Sequence, residues 1–310
     1  MPWRSHLGST ETDFRVFGDT ENAVVVDTVI TNAMTVDVED YFQVSAFDDN
    51  VLRDDWETYP LRVGRNVETI LALFADHRVR ATFFVLGWVA ERQPELVKRM
   101  AAAGHEIASH GYAHKRVHHQ SPVQFRSDVG RARKLLEDIT GISVRGYRAP
   151  SFSINGNTPW AFEILAEEGY AYSSGIYPIR HDHYGMPEAP RFPFRPLRDS
   201  ALMEIPITTF ALGGINLPCG GGGYFRLLPS NFCHWGLQRV NEKERKPGVF
   251  YFHPWEIDPD QPRIDGASVK ARLRHYTNLK HMRKKLEKTL SRFSWDRVDH
   301  VFGLGGNGER

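Results

Sequence analysis

The sequence predicts a parallel α/β fold, either barrel-like or doubly wound. Two observations carry that expectation. From about residue 24 to residue 177, short apolar runs alternate with stretches of helical periodicity, the pattern of strand–helix–strand units. The ends of four apolar runs also deliver Asp37, His110, Arg148 and His253. In parallel folds the chemistry collects at the C-terminal ends of the strands, and all four residues fall there.

Each element has its own signal. Val24 to Thr35 is rich in β-branched residues and leads to three acids, Asp37, Glu39 and Asp40. Asn66 to His77 carries a helical stripe of Val67, Ile70, Leu71, Leu73 and Phe74. Ala81 to Gly87 reads as a buried strand. Pro94 opens a helix that Gly104 closes, the usual placement of both residues. His105 to Ser109 is a short strand, Ser121 to Thr140 a long helix, and Val144 to Tyr147 a strand ending at Arg148-Ala149-Pro150. Thr158 to Glu168 is helical, and a strand follows Gly169-Tyr170.

Beyond Pro178 the alternation fades. Residues 178–248 read as Pro-, Gly- and aromatic-rich loops over the barrel mouth, with one strand at Leu202 to Ile207. Val249 to Phe252 is a last strand. Residues 267–293 form an amphipathic helix with an apolar stripe from Val269 to Phe293. The expected organisation is a polar extension over residues 1–22, one catalytic domain over 23–295 and a tail over 296–310.

Composition narrows the function classes. Hydrophobic content of 41% and a net charge of +1 describe an ordinary globular chain, with no global excess that points to nucleic acid. Cys219 and Cys233 make no disulfide framework and no CxxC pair, so a reduced compartment is allowed. No signal-peptide core is seen near the N-terminus and no apolar run would span a bilayer. A cytoplasmic location is the expectation. The nine Lys or Arg of residues 267–293 read as a solvated face.

The chemistry concentrates in Ser109-His110-Gly111-Tyr112-Ala113-His114, taken together with Thr35-Val36-Asp37-Val38-Glu39-Asp40. On a helical turn, histidines four apart point the same way. Imidazole and carboxylate together suit a divalent metal, zinc first, and a metal with an open position activates water. Residues two apart on an extended segment share a side, which favours Glu39 as the acid beside Asp37; a turn at Asp40 favours that shorter residue instead. Both stay in the candidate set, with Asp40 slightly ahead. His105, His118 and His119 are bystanders. Cys219 to Phe225 is no phosphate loop, since no Lys-[Ser/Thr] and no helix pattern follow the glycines. Its Tyr224 and Phe225 are candidates for stacking on sugar rings.

These motifs resemble the NodB-type polysaccharide deacetylases, the family four carbohydrate esterases. His110 to His114 matches the family's His-[Ser/Thr/Gly]-x-x-His metal motif, and Arg148-Ala149-Pro150 its Arg-x-Pro motif. His253, in Tyr251-Phe252-His253-Pro254-Trp255-Glu256, matches its catalytic histidine. Thr35 to Phe42 and His253 to Glu256 look like the subgroup found with bacterial exopolysaccharide and exosortase gene clusters.

The resemblance implies a distorted (β/α) barrel and hydrolysis of N-acetyl groups on an amino-sugar polymer, with oligomerisation left open. It implies a metal held by His110, His114 and Glu39 or Asp40, with Asp37 as general base and Arg148 holding that base ionised. It implies an oxyanion donor at the backbone N–H of Ser151 and His253 as general acid. Trp255 joins Tyr224 as a candidate substrate contact, although a large aromatic reads by default as core packing. Ser173 stands where many relatives carry an aspartate, so His253 needs another partner, Glu256 or Asp182. Two rivals remain at this level: an allantoinase-like cyclic amide hydrolase on the same barrel, and a catalytically silent glycan binder.

Overall fold

The computed structural model describes residues 29–181 and 184–305. The extension over 1–22, the start of the first expected strand and Asp182 lie outside the described residues. In chain order the first half runs β1 (Thr31–Val38), α1 (Val63–His77), β2 (Thr82–Val85), α2 (Gly87–Arg92), α3 (Pro94–Ala102), β3 (Glu106–Ser109), α4 (Pro122–Thr140), β4 (Gly146–Tyr147), α5 (Trp160–Glu167) and β5 (Tyr172–Ser173). The second half runs β6 (Met203–Glu204), β7 (Thr209–Leu212), β8 (Ile215–Pro218), α6 (Gly222–Leu227), α7 (Ser230–Lys243), β9 (Val249–Phe252), α8 (Val269–Tyr276), α9 (Leu279–Arg292), β10 (Ser294–Asp296) and α10 (Val298–Val301).

β1 to β6 pair in sequence order, all parallel, in a sheet that curls into a distorted half-barrel with β1 near one end. β1 has β9 along one side. Along the other side it meets β10 over its first residues and β2 over its last. Seven of its eight residues are buried, as expected of a strand covered on both faces.

Period-two geometry sorts the side chains. Met34, Val36, Phe83, Val85, Ile107, Phe250 and Phe252 pack outward into the large core under the helices. Ala33, Phe84, Ala108, Tyr172, Val249 and Tyr251 form a second, separate cluster on the other face of the sheet. Thr35 and Asp37 follow Ala33 on that inner face, two residues at a time. α10 closes the N-terminal end: the Val298 N–H donates to Thr82 Oγ1 at 2.8 Å and the Asp299 N–H to Glu106 Oε2 at 3.2 Å.

Three expectations are corrected. Residues 178–248 are not plain loops: they fold the antiparallel β7–β8 hairpin, α6 and α7. α7 buries Cys233, His234, Gly236 and Asn241 beside Leu237 and Val240, so its inner face shows no apolar stripe in the sequence. α6 directly follows the glycine run, where a helix was not expected. That run is structural: at Gly221, with φ at 109°, a Cβ would run into the Tyr251 carbonyl. The helix expected over 267–293 is two helices, broken where Asn278 turns left-handed at φ 62°. The sheet also continues through the boundary expected at 295, because β10 and α10 follow α9 directly.

Candidate metal centre and active site

One cluster of metal-binding type is found among the described residues, formed by Glu39, His110 and His114. Their ligand atoms lie within 4.8 Å of one another, and all three residues are buried. The histidines reach it from a loop and not from a helical turn, which corrects the reading of their spacing. Gly111 and His114 both take positive φ, 75° and 49°, and this bends the segment back on itself. The bend is braced from both sides. Asp128 of α4 accepts the Tyr112 and Ala113 N–H groups at 2.9 and 3.2 Å, while Arg53 donates to the Ala113 and His114 carbonyls at 2.8 and 3.0 Å.

The two candidate acids separate clearly. Glu39 Oε2 lies 2.8 Å from His114 Nε2. Asp40 turns away: its carboxylate accepts the N–H groups of Tyr41, Arg62 and Val63 at 2.9, 2.7 and 2.8 Å, capping the start of α1. Asp40 therefore leaves the metal set, because its oxygens satisfy helix-end donors that would otherwise be orphaned. Glu39, two residues beyond Asp37, stays in it.

The donor set fits a divalent cation. Glu39 Oε2 is buried with only His114 Nε2 beside it, and His114 Nδ1 is buried with no hydrogen-bond partner. Orphaned polar atoms of this kind are costly unless something further binds them. His110 Nδ1 lies 2.9 Å from the Arg148 carbonyl, so that nitrogen carries the proton and Nε2 is left as the ligand atom. Burial pushes His110 down to about 4, outweighing the pull of Asp37, so its imidazole is neutral near pH 7. Burial alone would raise Glu39, but the charges of His114 and His253 outweigh it and hold the carboxyl well below the usual range.

Beside the cluster, Arg148 Nη1 donates to Asp37 Oδ1 at 2.6 Å. Arg148 is wholly buried, and its remaining donors reach Thr35 Oγ1 at 2.7 Å, Ser174 Oγ at 3.0 Å and the Ser174 carbonyl at 3.3 Å. Phe84 lies 4.0 Å beneath the guanidinium. A buried ion pair is tolerated when its groups are matched in this way.

His253 faces the same space, with Nε2 3.9 Å from Asp37 Oδ2 and 3.7 Å from Glu39 Oε1. Its side chain is 19% exposed, against 3% or less for Asp37, Glu39 and His114, so the cluster opens toward solvent on the His253 side. Burial would lower its pKa, but Glu39, Glu256 and Asp37 together raise it to about 9. Nδ1 lies 2.8 Å from Glu256 Oε1.

The other expected residues divide. Ser151 opens the short turn after Pro150 in the left-handed region, φ 53°, with its hydroxyl 2.7 Å from that of Ser45. Trp255 is core: only 5% exposed, it stacks with His253 and His275 and donates Nε1–H to Glu39 Oε1 at 3.1 Å. The turn after β9 folds it inward. Phe225 is buried against Phe250, which removes it as a sugar contact. Tyr224 is half-buried on α6, its ring 6.1 Å from that of His181. The sequence reading missed Thr35 and Ser174, which hold Arg148, and Arg226, which meets Glu256 at 3.0 Å. Thr35 could have been found from the inward register of β1 and Ser174 by extending that of β5 one residue; Arg226 carries no sequence signal.

Comparison with known proteins finds similarity in both halves of the chain. Residues 43–172 match the family model described as Polysaccharide deacetylase, and residues 174–303 match one described as Domain of unknown function (DUF3473). A chitooligosaccharide deacetylase of Sinorhizobium fredii is 51% identical over 115 residues, 35% of this chain and 48% of that protein. One from Bradyrhizobium sp. is 32% identical over 109 residues, 35% of this chain and 47% of that protein. A peptidoglycan-N-acetylglucosamine deacetylase of Bacillus cereus is 35% identical over 95 residues, 30% of this chain and 34% of that protein. The matched stretch thus spans about half or less of each relative. A crystal structure of a candidate polysaccharide deacetylase from Mycobacterium smegmatis shares the fold, with a TM-score of 0.55 at 21% identity over 94% of this chain and 96% of that one. Residues 43–172 are therefore similar to polysaccharide deacetylases, and residues 174–303 to a domain of unassigned function.

Proposed function

We propose that this chain is a metal-dependent hydrolase that removes N-acetyl groups from the amino sugars of a polysaccharide or oligosaccharide, in exopolysaccharide synthesis or modification. The carrying observation is the buried Glu39–His110–His114 cluster set against the Asp37–Arg148 pair and His253. A divalent metal, zinc first, held by those three ligands would supply a Lewis acid for the acetyl carbonyl and acidify water beside it. The residues divide the remaining work. Asp37 takes the proton of the attacking water, and Arg148 orients its carboxylate. The Ser151 N–H donates to the carbonyl oxygen as negative charge develops there. As the C–N bond breaks, His253 gives a proton to the departing amine, and acetate and a free amino sugar result. Tyr224 is kept as a substrate contact.

The names of the relatives support N-acetylglucosamine polymers as first substrates. Among the described residues no helix is long and apolar enough to cross a membrane. Two unpaired buried cysteines, Cys219 and Cys233, support a cytoplasmic location, which cell fractionation tests. The function is tested by acetate release from N-acetylglucosamine oligomers, with and without a chelator. Metal-dependent acetate release supports it. Metal binding without acetate, but with opening of cyclic amides, moves the reading to the cyclic amide hydrolases, and glycan binding alone moves it to a silent binder.

A further inference from the structure

We infer that Glu256 and Arg226 are positioning residues that hold the His253 imidazole in the orientation from which it delivers its proton. The inference rests on the deacetylase reading for what receives that proton. Among the described residues no acid reaches His253 from β5, where Ser173 is buried. The anchor comes instead from the same turn. Glu256 Oε1 accepts from the His253 backbone N–H at 3.2 Å and lies 2.8 Å from His253 Nδ1, so one oxygen fixes both main chain and ring. With Nδ1 donating to Glu256, Nε2 is turned toward Asp37 and Glu39.

Glu256 is itself held. It is wholly buried, and its second oxygen accepts from Arg226 Nε at 3.0 Å. Arg226 is 2% exposed and spends its other donors on the end of α8, reaching the carbonyls of Arg274, His275 and Thr277 at 2.6, 2.7 and 2.9 Å. Those carbonyls belong to a helix terminus that has no partners of its own. The guanidinium therefore ties three segments together: α6, the end of α8 and the turn that bears His253. Removing a buried charge from such a pair strands its mate. The residues all lie in the second matched region, and Arg226 falls in the stretch that the sequence alone left as loops.

The role separates by leaving group. An amine must be protonated as it leaves, whereas an aryl oxide leaves without help. With the full chain loaded with zinc, Glu256→Gln should lower kcat for N-acetylglucosamine oligomers by about 10²-fold or more, with KM within about twofold. Hydrolysis of an aryl acetate should stay within about fivefold of wild type, with zinc content unchanged. Arg226→Gln should shift the same ratio in the same direction; should it misfold, Glu256→Gln alone decides. Nitrogen-15 histidine labelling gives a readout independent of turnover. Wild type should show a downfield proton on His253 Nδ1, assigned by its loss in His253→Gln and absent in Glu256→Gln. Equal loss on amide and ester, no loss on either, or a wild type without that proton overturns the inference. A wild type that shows the proton but releases no acetate supports the placement of His253 and removes the deacetylase reading instead.

Discussion

Two buried glutamates sit at opposite ends of the same curled sheet and meet opposite fates. Glu39, just past the end of β1, faces His114, His253 and the Trp255 N–H, and it is held ionised. Glu106, at the start of β3, faces neutral donors, Thr82 Oγ1, Tyr172 Oη and the Asp299 N–H. Burial, with the Asp299 charge added, pushes Glu106 up to about 8. Burial is common to both; the neighbours differ. The C-terminal end gathers groups that attract a cation, whereas the N-terminal end is a plug closed by α10. The same fold thus separates a ligand site from a structural seal by the charge it puts beside an equally buried acid.

The largest expected effect comes from removing the cluster. His110→Ala or Glu39→Gln should abolish stoichiometric metal and lower metal-dependent acetate release by about 10³-fold or more. Elemental analysis and an acetate assay check this, and a variant with full metal content would break the contrast. Next comes the ion pair. Arg148→Met strands Asp37 and should cost about 3–5 kcal/mol of stability, read from denaturant unfolding. A change under about 1 kcal/mol would show that Asp37 does not depend on its partner.

A smaller effect distinguishes the two adjacent acids. Asp40→Ala removes a helix cap and should cost about 1 kcal/mol while metal content stays at the wild-type level. Loss of metal there would return Asp40 to the ligand set. The smallest effect belongs to the plug. The folded pKa of Glu106 is raised above its unfolded value, so its contribution is fully present below about pH 4.5 and is lost as pH rises through about 8. Glu106→Gln should therefore gain stability relative to wild type as pH increases across that window, as pH-dependent thermal unfolding would show. A constant difference between the two proteins would mean that Glu106 does not titrate there.

The sequence made the strand-end residues legible for a physical reason. Parallel strands buried on both faces are written as short continuous apolar runs, and the polar residue that ends each run is conspicuous. Asp37, His110, Arg148 and His253 were found that way. Glu39 and Asp40 could not be ranked from spacing, because the choice depends on where α1 begins and whose N–H groups need an acceptor. The second half was less legible. α7 packs small and polar residues inward, and α6 begins with two glycines, so neither has an amphipathic signature. Trp255 was kept as a candidate substrate contact although a large aromatic reads by default as core packing; the turn after β9 buries it against His275. Arg226 is found only by following hydrogen bonds through space.

The most direct test of the central claim is the metal stoichiometry of four folded proteins: wild type, His110→Ala, Glu39→Gln and Asp40→Asn. The account predicts about one zinc per chain in wild type and Asp40→Asn, and none in the other two. A well-folded wild type that binds no metal, or a metal lost with Asp40 and kept with Glu39, would contradict it.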